Sequence, residues 1–271
     1  MNILVTLNSA YIHPLTVMLK SLMLSNPDTF FDIYIGHSSL TAEDFQKIRE
    51  VIDSKRVTLH PIKITAGMLK GAPILKRTSK ETYYRLLMCE YLPEELDRIL
   101  YIDPDTVIIN SLDELYNLPL DGYVLAGSTH MTKLTNRFNL VRLGLNRKSQ
   151  YINAGVILVN LNLMRKSVTV QDIFNFITEN SKRLPLADQD VINVLFDRKI
   201  FYFDAKKFNL DERTCRHFSK IVDKNWIDKN AVIIHFNGSM KPWKPDYKGI
   251  LKPYYDYYEN INPRKEMYEN K

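Results

Sequence analysis

The sequence predicts an α/β fold, with one domain built on a central, mostly parallel sheet that is flanked by helices. Apolar, β-rich runs alternate with amphipathic helical patterns along the 271 residues, and this alternation is typical of parallel strands joined by crossover helices. Apolar residues make up 45% of the sequence and charged residues 25%, so the chain can bury a sizeable core. No repeat, low-complexity linker or composition shift divides it into independent domains.

The elements follow in chain order. Short apolar runs predict strands at residues 3–7, 31–36, 57–62, 98–102, 124–127, 156–160 and 232–235. Amphipathic patterns predict helices at residues 14–25, 41–52, 81–90, 173–180 and 189–196. The second helix has the clearest start, because Thr41 can cap free amide groups and the acids Glu43 and Asp44 suit the positive end of a helix. The small and basic residues of 65–80 predict either a lid over a bound ligand or an ordinary surface loop.

Composition argues against several classes of protein. The formal charge is +6, but lysines and arginines are scattered among acids and no recognition-helix or zinc-finger signature is present, so no nucleic-acid partner is expected. Cys89 and Cys215 are too few for a disulfide framework and are expected to be reduced packing residues. No apolar run reaches membrane-spanning length and no signal-peptide pattern is visible, which predicts a cytoplasmic location.

The most informative junction is Asp103-Pro104-Asp105, directly after the strand at 98–102. Ligands of open α/β sheets bind beyond the carboxyl ends of strands, where these carboxylates could meet a metal ion and a phosphorylated ligand. Pro104 restricts the turn between them. Hard oxygen ligands at this spacing suit magnesium or manganese. Taken alone, such a pair of acids is more often a solvated turn.

A second polar segment, H-F-N-G-S-M-K-P-W, begins at His235 and also follows an apolar strand. A histidine here can supply a nitrogen ligand to a transition metal. Gly238 lets the backbone approach a phosphate closely, and Lys241 offers a cation to a diphosphate. The alternative is a histidine that is hydrogen-bonded for purely structural reasons.

Two further segments present amides and carboxylates at the ends of elements. Asn153, Ala154 and Gly155 form a turn that runs into a strand, and Asp188 and Gln189 lie at the start of a helix. Side chains at such junctions can hydrogen-bond sugar hydroxyls. The alternative is that the asparagine and glycine are ordinary turn formers and that the aspartate is a helix cap.

Taken together and in this order, the four segments resemble glycosyltransferase family 8, a group that includes bacterial lipopolysaccharide galactosyltransferases and glycogenin. The resemblance runs from the first strand to about Trp243, and the ordered set D-x-D, N-A-G, D-Q and H-x-x-G-x-x-K-P-W is specific although each piece is weak. It implies a GT-A fold with a single Rossmann-like nucleotide-binding domain, which we assign to residues 1–245, and the composition of residues 246–271 predicts a basic, tyrosine-rich C-terminal extension. The resemblance also implies a retaining enzyme of cell-surface polysaccharide biosynthesis, which moves galactose or glucose from a UDP-sugar to a hydroxyl of a glycan or glycolipid.

The resemblance assigns a metal and diphosphate site to positions of this sequence. Asp103, Asp105 and His235 match the family's metal ligands, with Mn²⁺ as the usual ion and Mg²⁺ as the alternative. Gly238 and Lys241 match the positions that hold the diphosphate of the UDP-sugar.

Other matched positions would bind the uridine and the sugar. The uridine would lie against Thr6, Asn8 and Tyr11, with the tyrosine placed to stack on the base. Family members often carry aspartate where Asn8 stands, and an asparagine oxygen can still accept the uracil N–H. Arg85 matches the arginine that reaches the donor sugar and phosphate. The remaining donor-site positions are Pro104, Asn153, Ala154, Gly155, Asp188 and Gln189, of which Asn153, Asp188 and Gln189 face the reacting carbon and are the predicted catalytic residues.

Two mechanisms would retain the anomeric configuration. One proceeds by two displacements through a glycosyl adduct on Asp188 or Asp190, and the other by attack of the acceptor on the same face as the departing phosphate. A neutral amide such as Gln189 is a poor nucleophile, so same-face attack is the favoured prediction.

Two rival functions fit part of the sequence. A haloacid-dehalogenase-type phosphatase would use Asp103 as nucleophile and Asp105 as general acid, but it needs a later acidic pair that is not evident. A catalytically silent module that only binds nucleotide-sugars is the other alternative.

The segment after residue 245 carries tyrosines among basic residues, at Tyr247, Lys248, Lys252, Tyr254, Tyr255, Tyr257, Tyr258, Arg264, Lys265 and Tyr268. Such a composition suits peripheral contact with the inner face of a membrane, where lipid-linked acceptors reside. The alternative is a helix that packs its tyrosines on the main domain.

Overall fold

The protein is described here by a computed structural model that covers residues 1–68 and 81–262. A seven-stranded sheet in the order β3-β2-β1-β4-β7-β6-β8 lies at the centre, and β5 pairs with β9 in a separate ribbon. The strands are β1 (Asn2–Thr6), β2 (Phe31–His37), β3 (Val57–Lys63), β4 (Arg98–Ile102), β5 (Thr106–Ile108), β6 (Leu125–Ser128), β7 (Asn153–Asn160), β8 (Ile200–Tyr202) and β9 (Ile233–His235). In the main sheet, β7 runs antiparallel to both of its neighbours, and the other pairings are parallel.

Helices cover both faces of the sheet. They are α1 (Ile12–Ser25), α2 (Ala42–Val51), α3 (Glu81–Tyr84), α4 (Met88–Tyr91), α5 (Asp113–Tyr116), α6 (Lys133–Leu143), α7 (Leu161–Ser167), α8 (Val170–Asn180), α9 (Ala187–Leu195), α10 (Ala205–Phe208), α11 (Glu212–His217), α12 (Lys224–Asn230) and α13 (Lys252–Asn260). Short 3-10 turns occupy Ser9–Tyr11, Arg85–Leu87 and Ser181–Arg183. The predicted α/β class and its mostly parallel sheet are confirmed.

The strand β1 shows how alternation divides the core. Ile3 and Val5 pack with Leu19 of α1 on one face of the sheet, whereas Leu4 belongs to the cluster on the other face, with Ile173 of α8. Successive side chains of a strand point to opposite faces, so a run that is apolar at every position is buried on both sides.

The direction of β7 determines which residues lie together at the edge of the sheet. Because β7 is antiparallel to β4, its first residue, Asn153, lies beside the carboxyl end of β4 rather than at the opposite edge. The amide of Asp103 donates to the carbonyl of Gly155 at 2.7 Å, which continues the ladder past the end of β4. The predicted turn at residues 153–155 is therefore wrong, since these residues begin the strand itself.

The predicted helix over 81–90 is interrupted. It forms α3, a 3-10 turn over Arg85–Leu87, and α4. Neither glycine nor proline occurs in this stretch to signal a break, so the sequence pattern alone could not locate it. The tighter turn coincides with Arg85, whose side chain is held by tertiary contacts described below.

Most of the tyrosines between residues 246 and 262 are packing residues. Tyr255 is fully buried and Tyr247 and Tyr258 nearly so, in a cluster with Val107 and Ile234. Through residue 262, the structure thus shows the alternative to membrane contact, a helix packed on the main domain. The residues Arg264, Lys265 and Tyr268 lie outside the described part of the chain, as do residues 69–80 of the predicted lid. No helix within 1–68 or 81–262 is long and apolar enough to cross a bilayer.

Both cysteines are free, as expected. Cys215 is buried in the cluster beneath α13, and burial raises the pKa of its thiol to about 12, so it stays protonated and inert.

Candidate active site

A cavity of about 310 Å³ opens at the edge where β1 and β4 end and β7 begins. Ten of the predicted site residues line it: Thr6, Asn8, Tyr11, Arg85, Asp103, Pro104, Asp105, Asn153, His235 and Lys241. Leu7 and Asn237 complete the lining. The sequence pattern therefore identified the location of the pocket, although its members are drawn from segments far apart in the chain.

Asp103, Asp105 and His235 converge on one point of this cavity. Their ligand atoms all lie within 4.8 Å of one another. His235 Nε2 is 3.4 Å from Asp105 Oδ1 and 3.7 Å from Asp103 Oδ2. The ribbon of β5 and β9 makes this possible, since it pairs Thr106 with His235 and so brings the start of β5 to the histidine. Two hard oxygens and one imidazole nitrogen form a donor set that suits Mn²⁺ or Mg²⁺.

Gly155 is required for this convergence. A β-carbon at residue 155 would lie 2.2 Å from His235 Cε1 and 2.5 Å from Asp103 Oδ2. Only glycine leaves the histidine and the aspartate room to occupy their positions against β7. Gly155, which the resemblance places in the donor site, therefore provides the space that two of the three candidate metal ligands occupy.

Asp105 is held in its charged form by its contacts with His235 and Lys241. Burial alone would raise its pKa, but His235 and Lys241 outweigh that effect and the pKa lies well below its usual value. Lys241 Nζ donates to Asp105 Oδ2 at 2.5 Å and to the carbonyl of Phe236 at 2.8 Å. The lysine predicted to hold a diphosphate thus lies in the cavity, beside the candidate metal ligands.

Arg85 joins Asp103 to Asp188 beneath the cavity. Its Nη2 lies 3.0 Å from Asp103 Oδ1 and its Nε lies 2.8 Å from Asp188 Oδ2. Its Nη1 donates to the carbonyl of Ala154 at 2.8 Å, and the guanidinium lies over the ring of Tyr101 at 4.4 Å. Tyr101 in turn donates to Asp103 Oδ1 at 2.7 Å. These contacts fix the position of the Asp103 carboxylate. They also mean that Arg85, which the resemblance assigns to the donor sugar, is already bonded to three groups of the protein.

Asp188 is not a helix cap. The helix α9 starts at Ala187, its N-cap position is Leu186, and Asp188 is paired with Arg85 instead. Burial and the charge of Asp103 outweigh the arginine and raise the pKa of Asp188 to about 6. Ala187 has φ of 46°, in the left-handed region that disfavours residues with a β-carbon, directly before the two predicted catalytic residues of α9.

A chain of amide side chains links His235 to Gln189. Asn209 Nδ2 donates to Asn153 Oδ1 at 3.2 Å, and Asn153 Nδ2 donates to Gln189 Oε1 at 3.1 Å. This direction leaves Asn209 Oδ1 as an acceptor for His235 Nδ1, at 2.9 Å. The histidine then carries its proton on Nδ1 and presents the lone pair of Nε2 to the two aspartates.

Asp190 belongs to the core rather than to the cavity. Its side chain is fully buried and accepts hydrogen bonds from Arg142 Nη2 at 2.7 Å and from the hydroxyl of Tyr151 at 2.6 Å. The amide of Leu186 donates to its second oxygen at 2.9 Å. Both oxygens are committed to structure, so Asp190 is not available as a nucleophile.

Some predicted residues lie outside the lining of the cavity. Ala154, Gly155, Asp188 and Gln189 lie behind it and act on it through Arg85, His235 and Asn153. Gly238 lines a neighbouring cavity instead, and a β-carbon there would meet nothing closer than 3.9 Å. Nothing in the structure therefore requires glycine at residue 238.

The residues predicted to bind uridine line the cavity, and each of them also contacts another part of the protein. Asn8 Oδ1 accepts from the amide of Ala10 and caps a 3-10 turn, and Thr6 Oγ1 is 3.0 Å from the hydroxyl of Tyr101. Tyr11 packs edge-on against Trp243 with ring centroids 5.8 Å apart. That contact joins the end of β1 to the segment that follows His235.

Sequence reasoning missed three residues of the site, Asn209, His130 and Tyr101. His130 is buried, which lowers its pKa, and its Nε2 donates to the carbonyl of Asn209 while its Nδ1 accepts from Asn237 Nδ2 at 2.8 Å. No motif marks these positions, because an isolated asparagine, histidine or tyrosine beside an apolar run is common in any core. Only the spatial neighbourhood of His235 and Asp103 singles them out.

The fold and the arrangement of this site are those of an α/β protein of the GT-A type. The chain has a TM-score of 0.81 to the crystal structure of the galactosyltransferase LgtC in complex with donor and acceptor sugar analogues, at 21% sequence identity and with 96% of this chain and 95% of that chain covered. The model of glycosyl transferase family 8 matches residues 2–246. The chain belongs to glycosyltransferase family 8.

Curated relatives agree with this placement. The chain is 24% identical over 266 residues to the lipopolysaccharide 1,2-glucosyltransferase of Escherichia coli K12, covering 96% of this chain and 76% of the relative. It is 28% identical over 233 residues to the lipopolysaccharide 1,3-galactosyltransferase of Salmonella typhimurium, covering 84% of this chain and 68% of the relative. The prediction of a hexosyltransferase is confirmed, and the rival phosphatase is not supported.

Proposed function

We propose that this protein is a retaining, metal-dependent glycosyltransferase that moves galactose or glucose from a UDP-sugar to a hydroxyl of a glycan or glycolipid. The observation that carries the proposal is the convergence of Asp103, Asp105 and His235 beside a cavity that also presents Lys241. The lipopolysaccharide glucosyltransferase and galactosyltransferase relatives support the choice of hexose and of a glycan acceptor.

The three converging side chains fit a divalent cation. Gly155 leaves them the space, and the bond from His235 Nδ1 to Asn209 keeps Nε2 available as a ligand. When bound, Mn²⁺ or Mg²⁺ supplies a Lewis acid that neutralises the charge developing on the diphosphate of the leaving group.

The chain adds fixed positive charge to the same region. Lys241 lies within reach of a diphosphate held in the cavity, and Arg85 balances the negative charge of Asp103 and Asp188. Preorganised charge of this kind stabilises the transition state in which the glycosidic bond breaks. Removing one such group from an enzyme typically raises the barrier by about 3 kcal/mol.

Same-face attack is the mechanism that the surroundings of α9 favour. Asp190 is enclosed by Arg142 and Tyr151, and Asp188 is committed to its ion pair with Arg85. Gln189 is a neutral amide behind the cavity that positions Asn153, which lines it, and the departing phosphate accepts the proton of the acceptor hydroxyl. A glycosyl adduct trapped on Asp188 in a slow variant would contradict this mechanism.

An adjoining cavity of about 670 Å³ provides room for the acceptor. His130 lines this cavity and accepts a hydrogen bond from Asn237, which lines the 310 Å³ cavity that holds the candidate metal ligands. Phe203 and Phe218 supply aromatic faces in the lining of the 670 Å³ cavity, which is a common way to hold a sugar ring by its apolar face.

The test is a screen of UDP-sugars for transfer and for slow hydrolysis, in the presence of Mn²⁺ or of EDTA. We expect turnover of at least one UDP-hexose with Mn²⁺ and none with EDTA. Asp105→Asn should lower turnover at least about 100-fold, since it removes a group on which leaving-group stabilisation depends. Asp121→Asn, at an exposed turn, is the matched control and should leave turnover unchanged.

Three outcomes would count against the proposal. If no UDP-sugar is bound or cleaved under either condition, the assigned function fails although the fold stands. If UDP-sugars bind without turnover, the protein is a silent binding module. Hydrolysis of p-nitrophenyl phosphate that depends on Asp103, with no response to UDP-sugars, would support a phosphatase instead.

A further inference from the structure

The helix α6 exposes a stripe of large apolar side chains. Leu134, Phe138 and Val141 have 79%, 66% and 73% of their surface exposed. Their spacing of four and three residues places them on one side of the helix, within a sector of about 60° at 3.6 residues per turn. We call Leu134, Phe138 and Val141 the α6 stripe.

The stripe points away from the protein. Asn139 and Leu140 are the buried residues of the helix, and they project on the opposite side from the α6 stripe. The helix is thus anchored by one face and carries a second apolar face that no described residue covers, since all three side chains are mostly exposed. Isolated exposed apolar residues are ordinary, but an aligned set of three on one helix marks an interaction surface.

The charged residues on α6 and in the sequence around it are all basic. Residues 122–171 contain seven lysines and arginines and no aspartate or glutamate. Lys133, Arg137, Arg147 and Lys148 are exposed on α6 and on the loop that follows it. Asp197 approaches this loop, but its carboxylate accepts from the amide of Asn146 and from the hydroxyl of Ser149 and is occupied there.

Asp204 also lies near the start of the stripe, in the cavity lined by Lys133 and Leu134, but it is paired with Lys206 at 2.9 Å. An apolar stripe with this excess of cations is complementary to an anionic lipid surface. A second copy of this chain would bring two basic faces together, which the like charges oppose. We propose that α6 docks the protein on an anionic bilayer, with the α6 stripe entering the headgroup boundary and Lys133 and Arg137 contacting the lipid phosphates.

The position of the helix suits this role. Leu134, at the start of α6, lines the 670 Å³ cavity together with His130. A bilayer that contacts α6 therefore lies beside the mouth of that cavity. The docking surface does not depend on the identity of the sugar donor, and lipid binding is measured separately from turnover.

The experiment is co-sedimentation of the full-length protein with vesicles. One set consists of equal parts phosphatidylglycerol and phosphatidylcholine, and the other of phosphatidylcholine alone. We expect binding to the anionic vesicles that falls with added salt, and at least about tenfold weaker binding to the neutral ones. The triple variant Leu134→Asn, Phe138→Asn, Val141→Asn should bind anionic vesicles at least about tenfold more weakly.

Two further variants test the contribution of the charges and serve as a control for exposed apolar residues elsewhere. Lys133→Gln with Arg137→Gln leaves the apolar stripe in place and should lose about tenfold in binding to anionic vesicles while binding neutral ones as before. Phe30→Asn with Ile221→Asn removes exposed apolar residues elsewhere, which are 68% and 59% exposed, and should bind like the unmodified protein.

The inference is overturned if the unmodified protein does not bind anionic vesicles, or if both α6 variants bind as tightly as it does. A dimer of the unmodified protein in light scattering that the triple variant loses would assign the stripe to a second copy and also overturn it. Should the triple variant unfold, the lysine and arginine variant decides the question alone, because exposed charges can be replaced with little effect on stability.

Discussion

Asn209 determines which nitrogen of His235 faces the two aspartates. It is fully buried, accepts from the histidine through Oδ1 and donates to Asn153 through Nδ2. A histidine that ligates a metal depends on such a partner to fix its tautomer and ring orientation. Asn209 is therefore a positioning residue for the proposed metal site, and it couples that site to the sugar-facing amides.

We predict that Asn209→Leu lowers the affinity for Mn²⁺ about 10- to 100-fold, because Nδ1 of His235 loses its acceptor. Asn209→Asp is the comparison, since it retains an oxygen for Nδ1 and gives up only the bond from Nδ2 to Asn153, so it should lose less affinity for Mn²⁺ than Asn209→Leu. Titration of Mn²⁺ by calorimetry measures both. Equal losses in the two variants would mean that the residue supports only the packing of the core.

Gly155 is the second residue on which the site depends. Gly155→Ala would force a β-carbon against His235 and Asp103, so we predict a loss of Mn²⁺ binding and of turnover of at least about 100-fold. Gly238→Ala meets no steric obstacle and should fold normally and bind Mn²⁺ unchanged. Calorimetry and thermal unfolding of both variants test this. Retained Mn²⁺ affinity in Gly155→Ala would show that the two ligands do not need this close approach.

At the scale of the element, α13 behaves as part of the core. Tyr255 is fully buried among Trp243, Phe236 and His13, and among the described residues its hydroxyl has no hydrogen-bond partner. Its aromatic ring, rather than its polar group, therefore attaches the helix to the segment that carries His235. A helix held this way cannot also present that ring to a membrane.

We predict that Tyr255→Ala lowers the free energy of unfolding by about 3–5 kcal/mol, as for other buried aromatic side chains. Tyr255→Phe removes only the buried hydroxyl and should be neutral or stabilising by up to about 1 kcal/mol. Tyr257→Ala, on an exposed position of the same helix, should change stability by less than about 0.5 kcal/mol. Chemical denaturation measures all three, and a small effect of Tyr255→Ala would mean that α13 is dispensable.

The predicted division into residues 1–245 and 246–271 stays a prediction at this scale. The family model ends at residue 246, while Tyr247 and α13 pack against the same body of the molecule.

At the scale of the whole molecule, the proposed ligands should stabilise the fold. Asp103, Asp105 and Lys241 come from distant segments that meet only in the folded protein, so we expect UDP with Mn²⁺ to bind only the native state. A ligand at 100 times its dissociation constant adds about 2.7 kcal/mol to the free energy of unfolding. For a domain of this size, that corresponds to a rise in Tm of about 5–10 °C.

Differential scanning fluorimetry with UDP and Mn²⁺, with UDP and EDTA, and with Mn²⁺ alone tests this expectation. The full rise should require both ligands, and Asp105→Asn should abolish it. An equal rise with UDP in EDTA would show that nucleotide binding does not depend on the metal, and the proposed role of the three ligands would be lost.

The α/β class, the order of most elements and the identity of the motif residues follow from local sequence patterns. Asp103 and Asp105 could be recognised because strand ends are legible from local periodicity, and ligands of α/β sheets collect there. The apolar run at 232–235 likewise predicts a strand that ends at His235, but the sequence does not show that this strand pairs with β5.

The contacts that those residues make depend on how distant segments pack together. The hydrogen bonds from His235 to Asn209, from Asn209 to Asn153 and from Arg85 to Ala154 span 26, 56 and 69 residues of the chain, and no local pattern encodes contacts at such separations. The direction of β7, the packing of α13 and the unpartnered stripe of α6 were likewise hidden, because an apolar pattern shows that a face is apolar and not whether another element covers it. Periodicity is a property of a segment, whereas a site and a surface are properties of how segments are brought together.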